Sequence, residues 1–449
     1  MENTGICRRG FVRQGSRVGV SAFLTGVIGD CAAALSPPVE PDNLPDPEKI
    51  GDMSLEQLRD QYKAALFNRF IPNMDSLVID HEYGGFMCNM DISTREHLST
   101  VKSVWNEGRG IWTYSFLYNN FGKNPRFLEV ARKSKDFILK HPPEGNSFWI
   151  SSFTREGDPK SGPGDIYGNL YLAEGLTEFA KASNDGRYRL MAKEILLKAL
   201  ASYDREDYYF PISYGPQGTP QISAPRVLGH WMTFLRPATQ FLEQGSDPDI
   251  ENLAARCVEA IMEHHLNARY GLLNEGLNHD LTLPENEWAQ FSYFATGIQT
   301  LWMLMSEAVR THNAKLFEAS RESFKRHLRV AADPVYGGYF RSLDCVDRDT
   351  YKMDKVLSLQ EEVLIGTLLI IEHARDSFAR NRFAETYAYV RNKFFHPEYP
   401  FMVESGDRNV LDYSKKGVGN YHHPRHLMIN LLALERMIAR GGKASGMFG

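Results

Sequence analysis

A chain of 449 residues with 43% hydrophobic and 24% charged residues has the composition of a soluble globular protein, long enough for two or three average domains or one large one. A formal net charge of −5 leaves no electrostatic footprint for nucleic acid or an anionic membrane surface. Five cysteines (Cys7, Cys31, Cys88, Cys257, Cys345) lie scattered without a CxxC pair, which indicates neither a zinc site nor a disulfide framework.

The chain begins with "CRRGFVRQGSRVGVSAFLTGVIGDCAAALSPP", in which Arg8, Arg9 and Phe11 precede a mildly apolar stretch and the small residues Ala32, Ala33 and Ala34. This pattern is similar to a twin-arginine export signal with an A-x-A cleavage site. It sets residues 1–45 apart as signal and linker, leaves 46–443 as a single barrel domain, and predicts an exported, periplasmic protein, the cytoplasm being the alternative. The apolar run is too short to span a bilayer, and no later stretch qualifies.

From residue 54 onward the apolar periodicity is helical. It predicts helices over 54–70, 105–121, 125–140, 164–183, 187–204, 225–243, 249–266, 292–311, 313–331, 353–375, 380–395 and 421–440. Asp52 or Ser54, Asn124 and Asp247 stand where N-caps belong. Three Gly-aromatic stretches, "EYGGFMCNMD", "RYGLLNEGLNHD" and "VYGGYFRSLD", read as β-hairpin arms at helix ends. The order helix, arm, helix recurs, as expected of helix pairs that complete one another's core. Alternate helices differ in charge. "PRFLEVARKSKDFILK" is solvated on one face, whereas "LIGTLLII" suits burial all round. Six pairs with inner and outer helices predict an all-α (α/α)6 barrel. The solvated outer helices predict a monomer or homodimer.

The starts of the even-numbered helices carry polar groups in otherwise apolar surroundings: Lys102, Trp105, Glu107 and Arg109; Tyr167 and Asn169; Arg226 and His230; Thr296 and Gln299; Lys355, Gln360 and Glu362; Tyr421, His422 and Arg425. In a barrel these starts converge on one mouth, and buried polar groups are costly without a purpose. A ring of ordered water is the bland alternative.

These stretches resemble the N-acylglucosamine 2-epimerase family, which includes cellobiose 2-epimerases and mannose-type aldose–ketose isomerases. "KSVWNEGRGIW", "DIYGNLYLAEGLTEF", "GHWMTFL", "KVLSLQEEVL" and "YHHPRHLM" follow the family's motifs in order, with both tryptophans of the fourth lost to Leu357 and Ser358. The resemblance implies an (α/α)6 barrel acting on the open-chain form of a reducing sugar. A histidine removes the C2 proton to give an enediolate, and the proton returns to C2 or C1. On the resemblance, His422, His230 and Glu362 are the catalytic residues: an acid/base, a ring-opening or oxygen-binding group, and the carboxylate that orients an imidazole. Arg109 is the oxyanion-binding group, and Trp105, Tyr167, Glu275, Thr296, Gln299 and Gln360 complete the substrate-binding set.

One departure stands out. The family's second acid/base histidine falls on Thr296 and its glutamate partner on Gln299, and a threonine hydroxyl is no general base near neutrality. A single base can move a proton between C1 and C2, so aldose–ketose isomerisation is favoured over epimerisation. His279, Glu275 and His423 are candidate replacement bases. A carbohydrate-binding barrel without turnover, or another sugar reaction in the same cavity, is the alternative; Glu107, Glu275 and Glu362 are the carboxylates a hydrolase could use. No cofactor is expected, since no P-loop or Rossmann glycine pattern occurs. His422 and His426 have i, i+4 spacing, but a proline lies between them and no HExxH context surrounds them, so no metal is expected. The partner is a small-molecule sugar, with no nucleic acid and no membrane span.

Overall fold

The computed structural model describes residues 49–145 and 147–448. The segment read as an export signal lies outside them. The helices are α1 Leu55–Ala64, α2 Ile71–Leu77, α3 Val104–Asn120, α4 Pro125–Leu139, α5 Ile166–Ser183, α6 Gly186–Tyr203, α7 Leu228–Glu243, α8 Pro248–Glu259, α9 Phe294–Arg310, α10 Ala314–Ala331, α11 Leu357–His373, α12 Ser377–Lys393 and α13 His422–Ala439. Apart from α2, which lies outside every predicted span, they fall on the predicted ones, α1 and α8 ending early where the chain continues as the π-helical turns Ala65–Phe70 and Ala260–His265. The first of these turns joins α1 to α2.

The caps explain the boundaries. Ser54 accepts from the Gln57 N–H while Gln57 reaches back to the Ser54 N–H, a capping box. Asn124 and Asp247 cap α4 and α8, each followed by a proline that needs no N–H partner.

Helices α3, α5, α7, α9, α11 and α13 form the inner ring. Each packs against the next, and α13 returns to α3. Their partners α4, α6, α8, α10 and α12, with α1 closing on α13, lie outside. Burial follows this split: almost every residue of α5 is buried, whereas α4 buries one face only. The inner backbones approach closely. A Cβ on Gly108 would lie 2.5 Å from the Tyr171 carbonyl carbon, and one on Gly175 would lie 2.5 Å from the Gly108 carbonyl oxygen. Only glycine lets α3 and α5 meet this way, and the contact brings Arg109 against Tyr171.

The arms are short antiparallel pairs, among them Met90–Asp91 with Glu96–His97 and Ser342–Cys345 with Thr350–Lys352. The first and last arms are built alike. Gly84 and Gly85, like Gly337 and Gly338, have positive φ and turn the chain at the arm's base. Lys102 donates to Asp80 at 2.9 Å and to the Gly84 carbonyl at 2.6 Å; Lys355 repeats this with Asp333 and Gly337 at 2.9 and 2.7 Å. Arg155 and Arg408 add the second cation to Asp80 and Asp333. Glu107 accepts from the Phe86 N–H at 3.0 Å, and Gln360 accepts from the Tyr339 N–H at the same distance. Lys102, Asp80, Lys355 and Asp333 have no exposed side-chain surface. Buried ion pairs of this kind endure only where further hydrogen bonds satisfy both groups, as the glycine carbonyls and arginines do here. Cys88, Cys257 and Cys345 are free and buried. No helix among the described residues is long and apolar enough to cross a membrane.

Candidate active site

Side chains from the first two turns of α3, α5, α9, α11 and α13 lie in contact with one another. Arg109 on α3 donates to the Tyr171 hydroxyl on α5 at 2.8 Å, and the same Nη2 lies 3.5 Å from His422 Nε2. Its guanidinium rests over the rings of Tyr171, Trp105 and Tyr421, at 4.1, 4.7 and 5.0 Å from their centroids. On the far side of His422, Nδ1 lies 2.8 Å from Glu362 Oε1 on α11. Arg425 donates to the same carboxylate oxygen, and Trp302 Nε1 on α9 donates to Oε2 at 2.7 Å. Gln299, with its amide oxygen toward Arg425, accepts from both guanidinium Nη atoms at 3.1 Å.

One turn before Gln299 stands Thr296, and beside it Glu275, which accepts from the Tyr214 hydroxyl at 2.8 Å. Tyr167 joins the cluster, its ring 5.4 Å from that of Trp105. Beneath, Tyr421 donates to Glu174, and Arg236 Nε approaches the same carboxylate at 3.7 Å.

The electrostatics follow from burial and these partners. Because Glu362 is an acceptor, it holds His422 as the Nδ1–H tautomer and leaves the Nε2 lone pair toward Arg109 and the cavity. Burial lowers His422 to about 4. Arg425 and Arg109 add to this against the opposing pull of Glu362. The imidazole is therefore neutral at neutral pH. Burial acts to raise Glu362, but Arg425 and His422 outweigh it and hold the carboxylate below its ordinary range. Glu275 goes the other way. Burial pushes it up to about 8 despite Tyr214 and Thr296, so it is protonated at neutral pH. A base and an acid set apart in this way can divide a proton-transfer reaction between them. Six helix N-termini at one mouth add partial positive charge where an oxyanion would form.

Most of the expected set comes together: His422, Glu362, Arg109, Trp105, Tyr167, Thr296 and Gln299. Glu275 belongs to the same wall but lies beneath its surface, with 0% exposure. Two residues are not brought to the cavity. Gln360 has its amide engaged at both ends by the Tyr339 backbone, as an arm clamp. His230 has no exposed surface. The rings of Tyr167 and Phe210 stand 4.8 Å from it, neither nitrogen has a hydrogen-bond partner, and burial lowers it to about 3. Glu107, Lys102 and Lys355 serve the arms, and Asn169 accepts from the Trp149 N–H.

Among the candidate replacement bases, His279 is bound by Arg226 at 2.5 Å and His423 turns to Glu361, while Glu275 stands beside Thr296. Sequence reasoning missed Tyr171, Glu174 and Arg236. The first two lie four and seven residues beyond Tyr167, on the same face of α5. Reading past the first helical turn would have found them.

Comparison with known proteins identifies the family. The family profile described as N-acylglucosamine 2-epimerase (GlcNAc 2-epimerase) matches residues 84–424. The N-acylglucosamine 2-epimerase of Bos taurus is 24% identical over 386 residues, covering 82% of this chain and 89% of that protein. The cellobiose 2-epimerase of Dictyoglomus turgidum is 22% identical over 361 residues, covering 76% and 88%. In fold, the chain is similar to the cellobiose 2-epimerase structure from Bacillus thermoamylovorans, with a TM-score of 0.73 at 14% identity over 84% of this chain and 99% of that one. The chain belongs to the N-acylglucosamine 2-epimerase family, whose matched members include cellobiose 2-epimerase.

Proposed function

We propose that this protein interconverts an aldose and its ketose by moving one proton between C2 and C1 of the open-chain sugar through His422. The aldehyde at C1 acidifies the C2–H bond. Neutral His422 takes that proton at Nε2, the C–H electron pair becomes the C1–C2 double bond, and negative charge collects on O1. Arg109 and the helix N-termini stabilise that charge. Imidazolium His422 then returns the proton to C1, while the O2 hydroxyl proton passes to O1 and O2 becomes the ketone oxygen. Glu362 keeps the imidazole oriented throughout.

The observation that carries this reading is the inequality of the two walls. His422 has 25% of its side chain exposed and an Nε2 met by Arg109 at 3.5 Å, whereas the α9 wall presents Thr296, with Glu275 at 0% exposure beside it. One accessible base serves a shift along one face better than an inversion, which needs a donor on each face.

The test is product analysis with glucose, mannose, N-acetylglucosamine, N-acetylmannosamine and cellobiose. A ketose is expected from at least one aldose of the panel, and Thr296→His should increase the share of 2-epimer. Formation of 2-epimer without ketose by the wild type would sink the proposal. It would favour a second reading, suggested by the raised Glu275 carboxyl, in which that acid reprotonates C2 from the opposite face. In that case Glu275→Gln should abolish epimerisation.

A further inference from the structure

On α13, the residue after His422 faces elsewhere. His423 and His426 lie three positions apart, on the side of the helix turned toward α1 and α12. Glu361, the residue before Glu362 on α11, points between them. One ligand-capable atom from each of Glu361, His423 and His426 falls within 4.8 Å of the other two. Glu361 Oε1 is hydrogen-bonded to His423 Nδ1 and lies 3.3 Å from His426 Nδ1.

Three observations make this more than an ion pair. Glu361 Oε2 is buried without a hydrogen-bond partner, and so is His426 Nδ1. The opposite nitrogen of His426 meets the Tyr62 hydroxyl at 2.9 Å, and Asn430 donates to that hydroxyl at 3.1 Å. Tyr62 thereby fixes the ring with Nδ1 turned toward Glu361, as the outer partner of a metal-bound histidine does. Finally, a cavity of about 320 Å³ opens over His423 and His426, bounded by Tyr62, Arg69, Tyr387 and Arg391 and flanked by the π-helical turn.

We propose that Glu361, His423 and His426 form a binding site for a divalent transition-metal ion of the zinc class, with a fourth coordination position open to this cavity. Two imidazoles and a carboxylate suit such an ion. Donor atoms about 2.0–2.1 Å from a tetrahedral zinc lie roughly 3.4 Å apart, close to the 3.3 Å between Glu361 and His426. An ion takes the place of the proton that Glu361 and His423 share. It joins α11 to α13 and, through Tyr62, to α1, across the seam where the ring closes. The i, i+4 pair His422 and His426 weighed from sequence is the wrong pair. His422 belongs to Glu362 on the inner side, and His423 is the true neighbour of His426. The site does not depend on the sugar chemistry.

The test uses the full chain, stripped with a chelator and dialysed against Zn²⁺ or Co²⁺. One equivalent bound is expected. Co²⁺ should give the visible ligand-field bands of a four-coordinate nitrogen and oxygen site, and Zn²⁺ should raise the melting temperature. His423→Asn with His426→Gln should lose the bound equivalent, while His422→Asn keeps it. Failure of the wild type to bind an equivalent would overturn the site, as would binding that persists in the folded double variant. Loss with His422→Asn alone would assign the ion to the other pair and overturn it equally. Should the double variant not fold, Glu361→Gln and the wild-type Co²⁺ spectrum decide in its place.

Discussion

Glu361 and Glu362 are neighbours on α11, and each holds an imidazole from the first turn of α13, yet the two pairs have different electrostatics. Consecutive residues on a helix point about 100° apart, so one pair faces the barrel interior and the other faces α1. On the inside, Arg425 supplies the positive charge that Glu362 needs. Burial, helped by Arg425 and Arg109, keeps His422 neutral with its pKa near 4 and leaves it a lone pair for a substrate. On the outside no arginine reaches Glu361 among the described residues. Burial acts to raise it, but His423 and His426 bring it down to about 2. The lesson is that a histidine–carboxylate pair becomes a base only where a third group neutralises the carboxylate.

Removing the inner imidazole is the sharpest way to break this comparison. His422→Ala should lower kcat by about a thousandfold, within the range for a positioned acid/base, with little change in melting temperature. Its outer counterpart, His423→Ala, should leave kcat within a few-fold.

Arg425→Met should cost about 3–5 kcal/mol of stability, since it leaves Glu362 buried without its arginine, measured by denaturant unfolding. It should also raise the His422 pKa, because a nearby positive charge disappears. Activity needs the neutral imidazole, so the acid limb of kcat/KM, expected near pH 4 in the wild type, should move to higher pH. A limb that stays in place would remove Arg425 from the electrostatic argument.

Glu361→Gln should be milder, at about 1–3 kcal/mol for buried donors left unpaired. The folded pKa of Glu361 is depressed below its unfolded value, so its contribution is complete above about pH 4.5 and fades as pH falls toward 2. Acid unfolding of the variant should therefore depend less on pH across that window.

The smallest effect expected is at Glu275. In the one-base mechanism Glu275→Gln leaves the alkaline side of the profile unchanged. In a two-base mechanism it abolishes epimerisation, which in the wild type falls away above about pH 8.

Much of this was legible in the sequence. Ser54, Asn124 and Asp247 announced their helices, and the charge difference between α4 and α11 announced which helices line the barrel. His422, Arg109 and Glu362 could be placed because polar side chains at the start of buried helices have few purposes. Gln360 could not, because the same first turn also anchors an arm. Only the Tyr339 backbone reveals that this amide is spent there, although the matching clamp of Glu107 on Phe86 was foreshadowed by the two alike arms. His230 was given its role by the family resemblance of its stretch, and a motif does not report whether aromatic rings enclose the side chain. The outer cluster was out of reach, since Glu361 lies far from His423 in sequence and meets it only through packing.

The most direct measurement is proton NMR of the sugar panel incubated with the protein in deuterium oxide, with His422→Ala beside it. Conversion of an aldose to its ketose, with deuterium at the reacting carbons wherever the imidazolium exchanges with solvent before returning its proton, and both lost in the variant, is the expected result. Sugar binding with neither ketose formed nor deuterium incorporated would contradict proton abstraction by His422 and leave a carbohydrate-binding barrel in its place.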